Sequence, residues 1–232
     1  MCASTTAKVG AVGWFLALVV GFPYLLRRYP GPIPEGLPSW VVLAVMGIGF
    51  VGAGFILKGL DLWRWHRLAT SMGLERMGDA AEEGFNPMEA YRGEFEGQQV
   101  TLDHIGNQSA EASNWTRVTA FHDADPEARL VIRERGLGGT PAEEFPPAVD
   151  VADAELTDRF HVYTPDAALA RDVLRGAVRE TLVGAEAVDQ VQVAEGRVVS
   201  KQRRQSFDRE VLRTHMRVAV TVADAVESAS GR

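Results

Sequence analysis

Residues 159–201 read RFHVYTPDAALARDVLRGAVRETLVGAEAVDQVQVAEGRVVSK, and the period of apolar residues changes along them. Arg159–Tyr163 is short, aromatic and β-branched, which predicts a strand. Thr164 can cap a helix and Pro165 suits a first helical position. Ala170, Val173, Leu174, Ala177, Val178 and Leu182 then recur at three-to-four spacing, the stripe of one helix face, and Gly184 can end it. Val188–Ala194 and Arg197–Lys201 return to strand character around the turn Glu195-Gly196. Strand, helix and hairpin in this order predict an α+β fold.

The flanks extend the pattern. A last helix is predicted to begin near Ser206, with Val211, Leu212, Met216, Ala219, Val222, Ala223 and Val226 on a wide apolar face. Upstream, Tyr91–Phe95 and Val100–Ile105 flank the turn Glu96-Gly97. Asn114–His122 and Arg129–Arg133 follow, separated by the turn-rich Asp123–Pro126. Within Asn114–His122, Trp115, Arg117, Thr119 and Phe121 make no clean apolar stripe. These four segments predict an antiparallel meander. Residues 85–228 are therefore expected to form a soluble α+β domain, a mostly antiparallel sheet with two helices on one face. Gly136–Thr157 is rich in glycine, proline and acid and is expected to be a long solvated loop. It lacks the Asp-x-Asp-x-Asp-Gly spacing of a calcium loop.

The first sixty residues differ in kind. Val9–Leu26 (VGAVGWFLALVVGFPYLL) and Trp40–Leu57 (WVVLAVMGIGFVGAGFIL) each hold 18 residues without a charged side chain. About 20 apolar residues cross a bilayer, and roughly 17 suffice. Residues 1–60 are thus expected to be a transmembrane helical hairpin with spans 9–26 and 40–57. Pro30, Pro32, Pro34 and Pro38 stiffen the connector. A cleavable signal is disfavoured, because Tyr24–Arg28 offers no small-x-small site and a second span follows. Lys8, Lys58, Arg64, Arg67 and Arg76 on one side outnumber Arg27 and Arg28 on the other. That bias expects a multi-pass protein of the cell membrane with both termini in the cytoplasm. Two glycosylation patterns, Asn107-Gln108-Ser109 and Asn114-Trp115-Thr116, flag the opposite orientation. Gly13, Ala17 and Gly21, and Gly49 and Ala53, put small residues four apart on the two spans. They serve either packing within the hairpin or pairing of two copies. Neither span holds an Asp, Glu, Lys, Arg or His, which argues against conduction through the hairpin alone.

Residues 61–84 are expected to be a juxtamembrane amphipathic segment. Trp63, Arg64, Trp65, His66 and Arg67 suit a head-group region, and Leu62, Trp65, Leu68 or Ala69, and Met72 fall at helical spacing.

Charge excludes some functions. The chain carries −7, but residues 1–60 hold Lys8, Arg27, Arg28 and Lys58 against Glu35, so the remainder carries −10. An acidic domain repels nucleic acid. Arginine outnumbers lysine by 21 to 3, which suits a high-salt cytoplasm or a GC-rich genome. One cysteine, Cys2, leaves no disulfide framework within a chain.

The sequence offers no motif for catalysis, a cofactor or a metal. His66, His104, His122, His161 and His215 form no His-x-x-x-His. Asp103-His104 and His122–Asp125 join His to carboxylate, but neighbours in a strand face opposite ways. Gly136–Gly139 lacks the Lys-Ser/Thr of a P-loop, and Ser109, Ser113 and Ser206 lack a nucleophile elbow. Lys201-Gln202-Arg203-Arg204 is a basic run within an acidic domain, expected to be a solvated strand end, with docking of a partner or the membrane as the alternative.

Several loose cues share one order: Ala-x-x-x-Gly-Leu (Ala69 to Leu74), Gly93, Gly97 and Val100, Thr116 to Val118, and Asp-Arg-Phe-x-Val-Tyr (Asp158 to Tyr163) before a final helix rich in Val and Ala. This order resembles a domain that recurs in uncharacterised prokaryotic two-span membrane proteins. The lead-in Leu156-Thr157 departs from the more usual Gly-Asp-Phe-like one. The resemblance implies an α+β domain and no known activity, so no site residues come with it. The expected role is a membrane-anchored, non-catalytic interaction or scaffold protein with a cytoplasmic soluble domain. Its partners would be the bilayer and a protein partner or second copy, not nucleic acid. The alternatives are an accessory subunit of a transporter or channel complex, and a membrane-surface enzyme using His104, His122 and Asp103.

Overall fold

The computed structural model describes residues 39–231 except 82, 84, 87–88, 106–114, 125 and 138–144; within 39–50 it describes the side of the helix only at Gly47, and residue 53 by backbone alone. The expected first span, with Gly13, Ala17 and Gly21, lies outside these residues, as do the side chains of Gly49 and Ala53. The chain divides into two units, Met1–Trp65 and His66–Arg232. In the first, helix α1 (Ser39–Ser71) runs unbroken through Trp40–Leu57 and on past the unit boundary. Among the described residues no helix is long and apolar enough to cross a membrane.

Helix α1 ends where Gly73 takes φ +83°. Glycine accepts that conformation without a β-carbon penalty. The Leu74 amide can then donate back to Ala69 O at 3.1 Å, closing the last turn. Of the two tryptophans expected at a head-group surface, Trp63 is exposed and Trp65 is buried.

Among the described residues the second unit is an α+β fold around one nine-stranded sheet. Its strands are β1 (Glu75–Arg76), β2 (Tyr91–Phe95), β3 (Gln98–Ile105), β4 (Trp115–Phe121), β5 (Leu130–Glu134), β6 (Ala148–Val149), β7 (Phe160–Tyr163), β8 (Gln190–Ala194) and β9 (Arg197–Arg203). Their order is β1-β2-β3-β4-β9-β8-β5-β7-β6, and every neighbouring pair is antiparallel. The expected four-strand meander is corrected by this order, because the β8–β9 hairpin inserts between β4 and β5. Both hairpin turns place a glutamate and a glycine at positive φ, Glu96-Gly97 and Glu195-Gly196. That pairing matches the right-handed twist of the flanking strands.

Helix α5 (Arg209–Ser230) lies across β4 and β9, with Leu212, Met216, Ala219, Val222, Ala223 and Val226 buried. Asp208 caps it by accepting the amides of Glu210 and Val211. The single helix expected over 170–182 is two: α3 (Ala167–Val173) and α4 (Ala177–Gly184). Gly176 at φ +52° breaks the stripe between them. Asp166, not Thr164, caps α3, and Thr164 Oγ1 instead donates to Arg129 O. Both helices pack on α5.

The expected solvated loop Gly136–Thr157 is also corrected. It contributes β6 and opens helix α2 (Ala154–Arg159), which packs on β7 and α4. Asp153 caps α2 through the Leu156 amide, and Asp153 and Glu155 clasp Arg179 at 2.5 and 2.6 Å. Arg159 closes α2 instead of opening a strand. Its guanidinium donates to the carbonyls of Leu182, Val183 and Ala185 around the end of α4, where a cation suits the helix dipole.

Candidate functional site

Strand register sorts the side chains into two faces. Leu102, Val118, Ser200, Val191 and Ile132 align on the face that carries α5. Here Ser200 Oγ lies 2.7 Å from His215 Nδ1, both groups fully buried. Burial holds the His215 imidazole neutral, with its pKa lowered to about 4; Ala187, on the backbone side, opposes this weakly.

The opposite face is polar. Asp103, Arg117, Lys201, Gln190, Arg133 and His161 form one continuous row across six strands. At the β3–β4 end, Phe85 and Asn86 reach this face. Met77, Ala80, Phe85 and Ala90 cluster there with Phe121 against them, and the Arg117 guanidinium lies 4.9 Å from the Phe85 ring. Beneath, Asp103 is fully buried and accepts two bonds from Arg117, at 2.7 and 2.6 Å, and one from the Asn86 amide at 3.2 Å. This is the fork-to-fork geometry of a strong charge-assisted pair.

Over β9, β8 and β5 the same face opens into a cleft of about 400 Å³. Val131, Gln190, Gln192 and Lys201 line its floor, and Ile105, Trp115, Arg129, Phe145 and Pro146 its sides. Lys201 Nζ donates to Gln192 Oε1 at 3.4 Å. Burial, and then the nearby Arg117 cation, push the Lys201 pKa down. Two guanidiniums brace the aromatic sides: Arg203 lies 5.7 Å from the Trp115 ring and Arg133 5.4 Å from that of Phe145.

The expected chemistry residues are not brought together. Asp103 and His104 face opposite sides, and His104 Nδ1 meets buried Glu89 at 2.7 Å. His104 pairs with Thr116, whereas His122 lies six residues further along the same strand line, roughly 20 Å away. His122 Nδ1 accepts the Ala124 amide, and burial lowers its pKa. His66 meets the Tyr91 hydroxyl at 3.2 Å. Among the described residues no three His, Cys, Asp or Glu side chains gather as metal ligands. Ser109 and Ser113 lie outside the described residues, and Ser206 accepts the Asp208 amide.

The basic run is corrected. Lys201 and Arg203 share the cleft face, and Lys201 is a floor residue instead of a solvated end. Sequence reasoning missed Gln190, Gln192, Arg129 and Phe145. The available signal was the alternation Gln190-Val191-Gln192-Val193, which puts two amides on one face of a strand whose other face is apolar.

No family model matches the chain, and no curated protein matches it. Among solved structures it is similar to the crystal structure of the mycobacterial trehalose monomycolate transport factor A, TtfA. The TM-score is 0.54 at 13% identity, over 71% of this chain and 93% of that one. This is a likeness of fold.

Proposed function

We propose that the protein is a membrane-tethered, non-catalytic accessory component of a transport assembly, its α+β domain binding other proteins of that assembly. The character of α1 carries this reading. The helix continues through an uncharged 18-residue run, and Val51, Phe55 and Ile56 within it are 58, 75 and 66% exposed. Phe55 and Ile56 are consecutive and so leave the helix on different sides. An apolar helix exposed on more than one side is suited to lipid rather than water. In this reading Val9–Leu26 pairs with Trp40–Leu57 as a hairpin, and both termini are cytoplasmic.

The fold likeness to a protein described as a transport factor supports the accessory role over a free-standing scaffold. The separation of His104, His122 and Asp103 speaks against the enzyme alternative. The test is to wash native membranes with alkaline carbonate, then solubilise them and affinity-purify the tagged full chain. Retention in the membrane and copurification of a multi-span protein are expected. Release into the supernatant overturns the tether, and recovery of the chain alone from membranes overturns the assembly role.

A further inference from the structure

The cleft over β9, β8 and β5 has a composition unlike the domain that carries it. Residues 61–232 carry −10, yet no aspartate or glutamate lines the cleft. Its charged side chains are Lys201 and Arg129, and neither makes an ion pair with a carboxylate among the described residues. Asp103, the nearest acid in the row, is committed to Arg117 on the far side of it from Lys201. The amides of Gln190 and Gln192 flank the ammonium, one directly across from it and one at hydrogen-bond distance. Trp115 and Phe145 add apolar surface on either side. A cavity of a few hundred Å³, apolar-walled with a few convergent polar groups, is the usual form of a small-molecule site.

We propose that this cleft binds an amphiphilic carboxylate: an apolar chain or ring held between Trp115 and Phe145, with its carboxylate on Lys201 and the two glutamine amides. Electrostatics favours this polarity. A half-buried ammonium has lost water without gaining a counter-charge, so an anion that reaches it restores solvation the fold removed. The glutamine amide nitrogens supply donors for the second carboxylate oxygen. Arg129 at the side adds longer-range attraction for the same sign. The inference stands apart from the tethering role and does not depend on it.

The test is calorimetric titration of the full chain with three probes: 4-phenylbutyrate, its neutral isostere 4-phenylbutanamide, and acetate. The acid is expected to bind at least about ten-fold more tightly than the amide, as a charge-assisted contact in a partly dry site requires, and acetate more weakly than either. Lys201→Met should bring the acid down to the amide's affinity, and Phe145→Ala should weaken acid and amide alike. Arg129→Gln, remote from the strand core, should reduce the preference for the acid by a smaller factor, and it serves where circular dichroism shows Lys201→Met unfolded. Equal binding of acid and amide, no binding of the acid, or full acid affinity in a folded Lys201→Met or in Arg129→Gln overturns the proposal.

Discussion

Ser200 on β9 and His215 on α5 are joined by a 2.7 Å hydrogen bond from which water is excluded. With the imidazole neutral, the hydroxyl and Nδ1 share one proton between them, tying the central sheet to the helix that covers it. The pair is fully buried, and among the described residues no carboxylate hydrogen-bonds to it, which fits a structural link.

That link has a pH signature. The folded imidazole titrates near 4, whereas an unfolded histidine titrates near 6.5. Between these values the unfolded chain binds the extra proton, so stability falls as pH falls from 6.5 towards 4 and levels off below. The shift corresponds to about 3 kcal/mol over that window. Denaturant melts at a series of pH values should show this acid loss, and Ser200→Ala/His215→Leu should lose that part of it. An identical pH slope in the double variant contradicts the assignment.

Asp103 depends on Arg117. Arg117→Ala leaves a fully buried carboxylate without its forked partner and is expected to cost about 3–5 kcal/mol. Adding Asp103→Asn removes the stranded charge and should recover part of the loss. A double-mutant cycle by urea denaturation measures both.

Gly93 on β2 lies tightly against Gly73 and Leu74, just past the end of α1. A β-carbon there would lie 2.7 Å from Leu74 Cδ2 and 3.0 Å from Gly73 O. Gly93→Ala should therefore destabilise by about 1–3 kcal/mol, the range for overpacking. Combining it with Leu74→Ala should not restore stability, because the backbone oxygen remains. The midpoint of chemical denaturation reports this directly.

Leu212 is fully buried where α5 meets the sheet. Leu212→Ala is expected to cost about 2–5 kcal/mol, the range for a truncated core leucine. Thermal and urea melts of the variant measure it.

The proposed topology is read by cysteine labelling. In a Cys2→Ser background, an impermeant maleimide applied to intact cells should label Gly31→Cys and should label Leu137→Cys only after permeabilisation. The reverse pattern would put the domain on the outer side and bring Asn107 and Asn114 into reach of glycosylation.

Local pattern carried much of the fold. Alternation and turn chemistry located the strands around Glu96-Gly97 and Glu195-Gly196, because a two-residue turn fixes the register on both sides. What failed was long-range. Nothing local says that β8–β9 slots between β4 and β5, since strand order is decided by which faces bury together. The apolar stripe through Ala170–Leu182 hid a break, because Leu174 and Val178 are both buried while Gly176 redirects the backbone between them. The cleft was illegible for a similar reason. Trp115, Phe145, Gln192 and Lys201 come from four separate segments, and only strand pairing gathers them. The His-based site failed by the strand alternation that the sequence already implied.

The sheet begins and ends in strands of two residues, β1 and β6. Borders that short expose few unpaired main-chain donors and acceptors, so copies at high density have little template along which to zip together. In the proposed accessory role, a binding protein would likewise find little edge on these two strands to extend with one of its own. It must read side chains instead, which makes recognition of this domain sensitive to single substitutions on its surface.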